Sequence, residues 1–152
     1  MNIFFRVDAS YTIGGGHLKR CITLANELYE KKQNSIFICQ DLLGLDISLL
    51  KNSNHKFFLI PRTKKFSEDA FNTIKILYKT SYKEDILIVD NYKLDCNWEK
   101  LLMPYVDKLI VIDDLANKKH DCNILINQVH GTSESDYKNY INNSCKLFLG
   151  SK

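Results

Sequence analysis

The residues best suited to chemistry lie near the start of the chain, in Arg6-x-Asp8-Ala9-x-x-x-Ile13-Gly14-Gly15-Gly16-His17-x-x-Arg20-Cys21. Consecutive glycines ahead of a helix let the backbone turn sharply and approach a ligand closely. The helix N-terminus behind them presents free N–H groups and the positive end of a dipole, a setting that suits an anion. His17 falls in the first turn of that helix. The dipole there disfavours the imidazolium, so the sequence predicts a lowered pKa. A neutral imidazole can take a proton from water or a hydroxyl; a histidine in this place can equally do no more than cap the helix or pack on the sheet. Arg6 and Arg20 are two of only three arginines in a chain with 18 lysines. Their planar forks suit either a ligand anion or a salt bridge, for instance to Asp8.

Elements that could position these residues follow from the alternation of short apolar runs with amphipathic stretches. Strands are predicted at Ile3–Val7, Ser35–Cys39, Phe57–Ile60, Ile86–Asp90, Leu109–Asp113, Ile124–Asn127 and Leu147–Leu149. Several, such as Ile86-Leu87-Ile88-Val89, are apolar on both faces, as strands are when helices cover a parallel sheet on both sides. Helices are predicted at about His17–Lys32, Gly44–Asn52, Ser67–Lys79, Asn97–Asp107 and Ser135–Asn143. In the first, Leu18, Cys21, Ile22, Ala25, Leu28 and Tyr29 share one face. Ser67-Glu68-Asp69 gives the third a cap and an acidic first turn. The implied fold class is α/β: one Rossmann-like, doubly wound parallel sheet of about seven strands, in one domain over residues 1–152.

Open α/β sheets bind ligands beyond the carboxyl ends of their strands. The first strand runs to Asp8 and the glycine turn, the fourth to Asp90-Asn91-Tyr92, the fifth to Asp113-Asp114, and the sixth to Asn127-Gln128 with His130-Gly131 beyond. Polar residues thus converge on one edge. Asp113 and Asp114 could orient a base or hold a metal, or be solvated loop residues. Tyr92 could offer a hydroxyl to a sugar, or cover the sheet edge. His130 has no assigned role, and His55 and His120 read as loop residues without a partner. The glycine turn also invites a dinucleotide reading, but the third glycine position of GxGxxG is Lys19, and no P-loop or GxSxG elbow occurs.

The bulk composition excludes several classes. With 45% apolar residues the chain can build a core. A net charge of +3 is too mild to argue for nucleic acid or a membrane surface. The five cysteines are scattered, without ligand spacing, so no metal site is expected; their odd number suggests reduced thiols and a cytoplasmic setting. Neither a signal peptide nor an apolar run long enough to span a membrane is evident.

Four stretches together resemble the UDP-2,4-diacetamido-2,4,6-trideoxy-β-L-altropyranose hydrolases of pseudaminic acid biosynthesis. They are Arg6–Ala25, Val89–Asp95 with Trp98-Glu99, Val111–Ala116 and Cys122–Asn127. The resemblance implies the N-terminal half of a GT-B architecture, in which two Rossmann-like domains face each other across a cleft. It implies release of UDP and free sugar from a UDP-sugar substrate, with no cofactor and no required metal. By position His17 is similar to the family's catalytic base, and Gly14, Gly15 and Gly16 to the loop lining the donor site. Asp8 and Tyr92 are similar to cleft residues near the sugar, with Arg20 a further substrate contact and Arg6, Asp90, Asp113 and Asp114 behind them. The C-terminal nucleotide-binding domain is absent from this chain, so a partner domain in cis or trans is expected and the isolated chain should be nearly inactive. Alternatives are a GT-B glycosyltransferase half, in which His17 activates an acceptor hydroxyl, and a non-catalytic nucleotide-sugar-binding module completed by a separate chain.

Overall fold

A computed structural model describes residues 1–80 and 84–150. Seven strands, β1 (Asn2–Val7), β2 (Asn34–Gln40), β3 (Lys56–Ile60), β4 (Ile86–Asp90), β5 (Lys108–Ile112), β6 (Ile124–Asn127) and β7 (Lys146–Leu149), form one sheet. Their order is β3-β2-β1-β4-β5-β6-β7, and every pairing is parallel. The helices are α1 (Gly16–Glu30), α2 (Ile47–Asn52), α3 (Phe66–Thr80), α4 (Cys96–Leu102) and α5 (Glu134–Tyr137). The expected α/β sheet is therefore present.

Side chains alternate across the sheet into two cores. Phe5, Val7, Phe37 and Cys39 pack with Leu18, Cys21 and Ala25 of α1 and Leu50 of α2. Phe4, Ile38, Leu87, Val89 and Val111 pack on the other face with Ala70 and Leu77 of α3, Trp98 and Leu102 of α4, and Tyr137 of α5. Burial from both sides is why the central strands read as continuous apolar runs. Arg6 stands in the second series, at a position where an apolar residue would be ordinary, and it is fully buried. No helix among the described residues is long and apolar enough to cross a membrane.

Three helices are shorter than the periodicity suggests. α2 starts at Ile47 rather than Gly44, because Gly44 takes φ +83° and Asp46 caps the helix by accepting from the Ser48 N–H at 3.0 Å. α4 stops at Leu102, and a 3-10 turn over Met103–Tyr105 containing Pro104 replaces the stretch expected to Asp107. α5 has one turn instead of the helix expected over Ser135–Asn143. A capping box between Ser133 and Asp136 starts it, but Asn142 turns its side chain onto the Ser144 N–H at 3.1 Å, a local bond that competes with helical pairing.

Candidate active site at the switch point of the sheet

The strand order reverses between β1 and β4, the place where the connections leaving adjacent strands diverge and a crevice opens. The loop leaving β1 is tied to itself. Gly14 N–H donates to the Ser10 carbonyl at 2.8 Å, and Ile13 N–H to the Ser10 Oγ at 3.1 Å. Gly14 holds φ +77°, which a β-carbon would strain. Gly15 is the N-cap of α1 and lends it no side-chain hydrogen bond; Gly16 is its first residue. A β-carbon on Gly14 or Gly16 would meet nothing within 4 Å. The space beside this turn is open, and the protein itself does not fill it.

His17 and Arg20, one turn apart on α1, reach across to the ends of β4 and β5. His17 Nδ1 lies 2.7 Å from Asp90 Oδ1. Arg20 grips the same carboxylate with both arms, Nε to Oδ2 at 2.5 Å and Nη2 to Oδ1 at 2.6 Å, and extends Nη1 to Asp114 Oδ2 at 2.5 Å. Tyr92 OH donates to the same Asp114 oxygen at 3.1 Å, and its ring meets His17 edge-on, with centroids 4.5 Å apart. Burial pushes the Asp90 carboxyl up, but the hydrogen bonds from Arg20 and His17 outweigh it and hold the group below the usual carboxylate range. The bonds to Asp90 raise Arg20 against the desolvation that opposes them. Burial and the nearby Asp114 charge raise the Tyr92 phenol. Only the Nδ1 side of His17 is engaged. Nε2 makes no hydrogen bond among the described residues, so with Nδ1–H donated to Asp90 its lone pair is available.

Arg6 and Asp8 form a second network. The Arg6 guanidinium is fully buried and pairs with two carboxylates. Nη1 and Nη2 reach Asp8 at 2.6 and 2.9 Å, and Nε and Nη2 reach Asp69 at 3.1 and 2.5 Å. Asp8 also accepts from the Gln40 N–H and from Asn91 Nδ2, both at 2.7 Å. Asp69 takes further bonds from Gln40 Nε2 at 2.6 Å and Trp98 Nε1 at 2.9 Å. Burial opposes ionisation of Asp69, but Arg6 and these donors prevail and its carboxyl is held low. Asp8 therefore stands at the cleft with its lone pairs already occupied. Sequence reasoning missed Asp69, treating it only as part of an acidic first turn. Its spacing held a signal: Asp69, Thr73 and Leu77 recur every four residues, all three are buried, and a carboxylate on that stripe needs a countercharge.

The two acidic residues after β5 diverge. Asp114 joins Arg20 and Tyr92. Asp113 turns inward, where its Oδ2 accepts from Tyr137 OH and the Ala116 N–H, each at 2.9 Å. Neither matches the solvated alternative. His120, expected to be an unpartnered loop residue, is buried. Its Nδ1 is 2.6 Å from Oε1 of the fully buried Glu99, and its Nε2 is 4.0 Å from Asp113 Oδ1. His55 also has a partner, Asn26 Oδ1 at 2.8 Å. His130 is exposed in the turn after β6. Among the described residues no group of three or more His, Cys, Asp or Glu side chains is placed to hold a metal ion.

A cavity of about 550 Å³ opens on the β1–β3 side of the switch point; Asp8 and Asn91 are on its lining, and His17 is not. The ends of β1 and β4 thus serve two adjacent spaces, since Asn91 faces the cavity while Tyr92 packs on His17.

No protein-family model matches the chain. It is 27% identical over 157 residues to an uncharacterized protein of Methanocaldococcus jannaschii, covering 100% of this chain and 30% of that protein. It is 28% identical over 150 residues to the UDP-2,4-diacetamido-2,4,6-trideoxy-β-L-altropyranose hydrolase of Campylobacter jejuni, covering 99% of this chain and 50% of the hydrolase. The chain spans half or less of the length of these curated relatives. The resemblance carried by the four sequence stretches is borne out: this protein is similar, along almost its whole length, to a part of that hydrolase amounting to half its chain.

Proposed function

We propose that this chain forms one wall of a nucleotide-sugar hydrolase, releasing UDP and free sugar from a UDP-linked 2,4-diacetamido-2,4,6-trideoxy sugar. The Asp90–His17 pair beside an open glycine turn is the observation that carries this reading. Asp90 accepts from Nδ1, which fixes the ring and its tautomer and leaves Nε2 as the base. A water at Nε2 gives up a proton as its oxygen bonds to the anomeric carbon. The bond from that carbon to the UDP oxygen breaks, and the electron pair leaves with the diphosphate. The proton stays on His17, where Asp90 faces the resulting imidazolium. Arg20, clamped between Asp90 and Asp114, keeps Asp90 in place through the step. The uncapped start of α1 offers N–H groups toward the negative charge that builds on the departing group.

The leaving nucleotide needs a second wall. The proposal therefore includes a C-terminal nucleotide-binding domain, in cis or in trans, facing this one as in a GT-B enzyme. The setting is the cytoplasm, where nucleotide sugars are made, and the product feeds pseudaminic acid synthesis. Glycosyl transfer is the second reading; the cavity beside the His17 site favours it, because an acceptor could lodge there. Incubating the complete two-domain protein with the UDP-sugar and analysing products decides between them. Free sugar and UDP in equal amounts support hydrolysis; UDP release only when an acceptor is added supports transfer; no UDP release under either condition removes both.

A further inference from the structure

The 550 Å³ cavity on the β1–β3 side is a site that the proposed hydrolysis does not use, and His17 is not on its lining. Its rim carries Arg62, the one arginine left unexplained by the two networks above, together with Lys64 and Lys93. Among the described residues these three side chains make no hydrogen bond or ion pair, and all three are exposed. The carboxylates in the cavity floor, Asp8 and Asp69, share the one Arg6 cation, which leaves the floor a single negative charge against the three cations of the rim.

The same cavity is also lined by exposed apolar side chains. Tyr11 is 87% exposed and Leu43 76%, yet Tyr11 is not loosely held. Its N–H donates to the Leu43 carbonyl at 3.2 Å, and its ring stands so close to Gly44 that a β-carbon there would lie 2.5 Å from Cγ. Gly44, at φ +83°, thus lets the backbone seat the tyrosine while the ring remains in solvent. Phe66, 46% exposed at the start of α3, lines the same cavity. An exposed aromatic ring lining one cavity with an unpaired arginine and two lysines is a recognition pattern for a flat body joined to a negative group.

We propose that this cavity binds a small organic anion, a phosphate or carboxylate carried on a planar apolar body, with the charge at Arg62, Lys64 and Lys93 and the flat face on Tyr11. The site does not depend on His17 acting as a base. Amide shifts of the isotopically labelled chain, titrated separately with phenyl phosphate, UMP, benzoate and benzyl alcohol, test it. Phenyl phosphate is expected to give saturable shifts at Tyr11, Leu43 and Thr63–Phe66 while sparing His17–Cys21. Arg62→Gln should weaken it about 3–10-fold and Tyr11→Ala about fivefold, with affinity falling as salt rises. Tighter binding of UMP at the same amides assigns the planar body to a nucleobase, and tighter binding of benzoate assigns the charge to a carboxylate; either supports the site. No saturable shift with any anion, equal binding of benzyl alcohol, shifts centred on His17–Arg20, or an Arg62→Gln chain that binds as wild type would overturn it. Both substituted residues are exposed, and the dispersion of the amide spectrum reports that the fold is retained.

Discussion

His17 and Asp90, 73 residues apart in sequence, meet at 2.7 Å across the switch point of the sheet. The contact exists because β1 and β4 are neighbours, with Val7 opposite Asp90 in register, and α1 is the helix that follows β1 in the chain. It orders the imidazole through Nδ1 and leaves Nε2 without a hydrogen bond among the described residues. Asp90→Asn keeps the shape but replaces an acceptor-only group by an amide that can present a donor to Nδ1, so the tautomer is no longer fixed. In the assembled two-domain protein, UDP release should fall by about 10²–10⁴-fold. A chain that keeps its wild-type rate would remove Asp90 from the mechanism.

Arg6 should matter for stability rather than turnover. Its guanidinium is the countercharge for both Asp8 and Asp69. Arg6→Met leaves two buried carboxylates facing each other without a cation, and breaking buried pairs in this way typically costs about 3–5 kcal/mol. Urea unfolding of the 152-residue chain should show a loss of that size. A change under about 1 kcal/mol would mean that the network is solvated in solution.

The acid limb of stability follows from the same carboxylates. Asp69 and Asp90 are both held below the usual range in the folded chain. A carboxylate with a depressed folded pKa stabilises the fold above its unfolded value, near 3.9, and loses that contribution as pH falls through the folded value. Unfolding free energy should therefore stay level from neutral pH to about pH 5 and decline below about pH 4. Asp69→Asn should flatten the decline. Urea midpoints measured at successive pH values check the sign; stability that rises on acidification would contradict it.

The glycine turn separates stability from function. Gly14 needs its positive φ, so Gly14→Val should destabilise the chain by about 1–3 kcal/mol. Gly16 needs no unusual backbone angle, and its β-carbon would point into open space. Gly16→Ala should leave stability unchanged or raise it by up to about 1 kcal/mol, while the added methyl crowds the place proposed for the sugar and raises KM. Thermal unfolding and substrate titration of the two variants test this; unaltered substrate kinetics in Gly16→Ala would show that the sugar does not approach the turn.

Much of this was legible in the chain. β4 and β6 coincide with their predicted ranges, and the other strands differ by one or two residues at their ends, because runs such as Ile86–Val89 buried on both faces have no competing pattern. His17, Arg20, Asp90, Tyr92 and Asp114 were each found at strand ends or beside the glycine turn. Their connection was not, since no local spacing reveals which strands are neighbours. The pairings of Asp69 and His120 were hidden for the same reason, since their partners, Arg6 and Glu99, lie 63 and 21 residues away, although the stripe of Asp69, Thr73 and Leu77 did mark Asp69 as buried. The ends of α4 and α5 were misjudged where Pro104 and Asn142 redirect the backbone.

The central claim is that His17 is the base. The direct measurement is UDP release by the assembled two-domain protein carrying His17→Ala, set beside its affinity for UDP. The account expects kcat to fall about 10²–10⁴-fold with UDP binding little changed, because the base is lost while the nucleotide is held chiefly by the other domain. It also expects the 152-residue chain alone to release almost no UDP, since a base without a positioned substrate does little. Wild-type turnover in the His17→Ala protein would contradict the account.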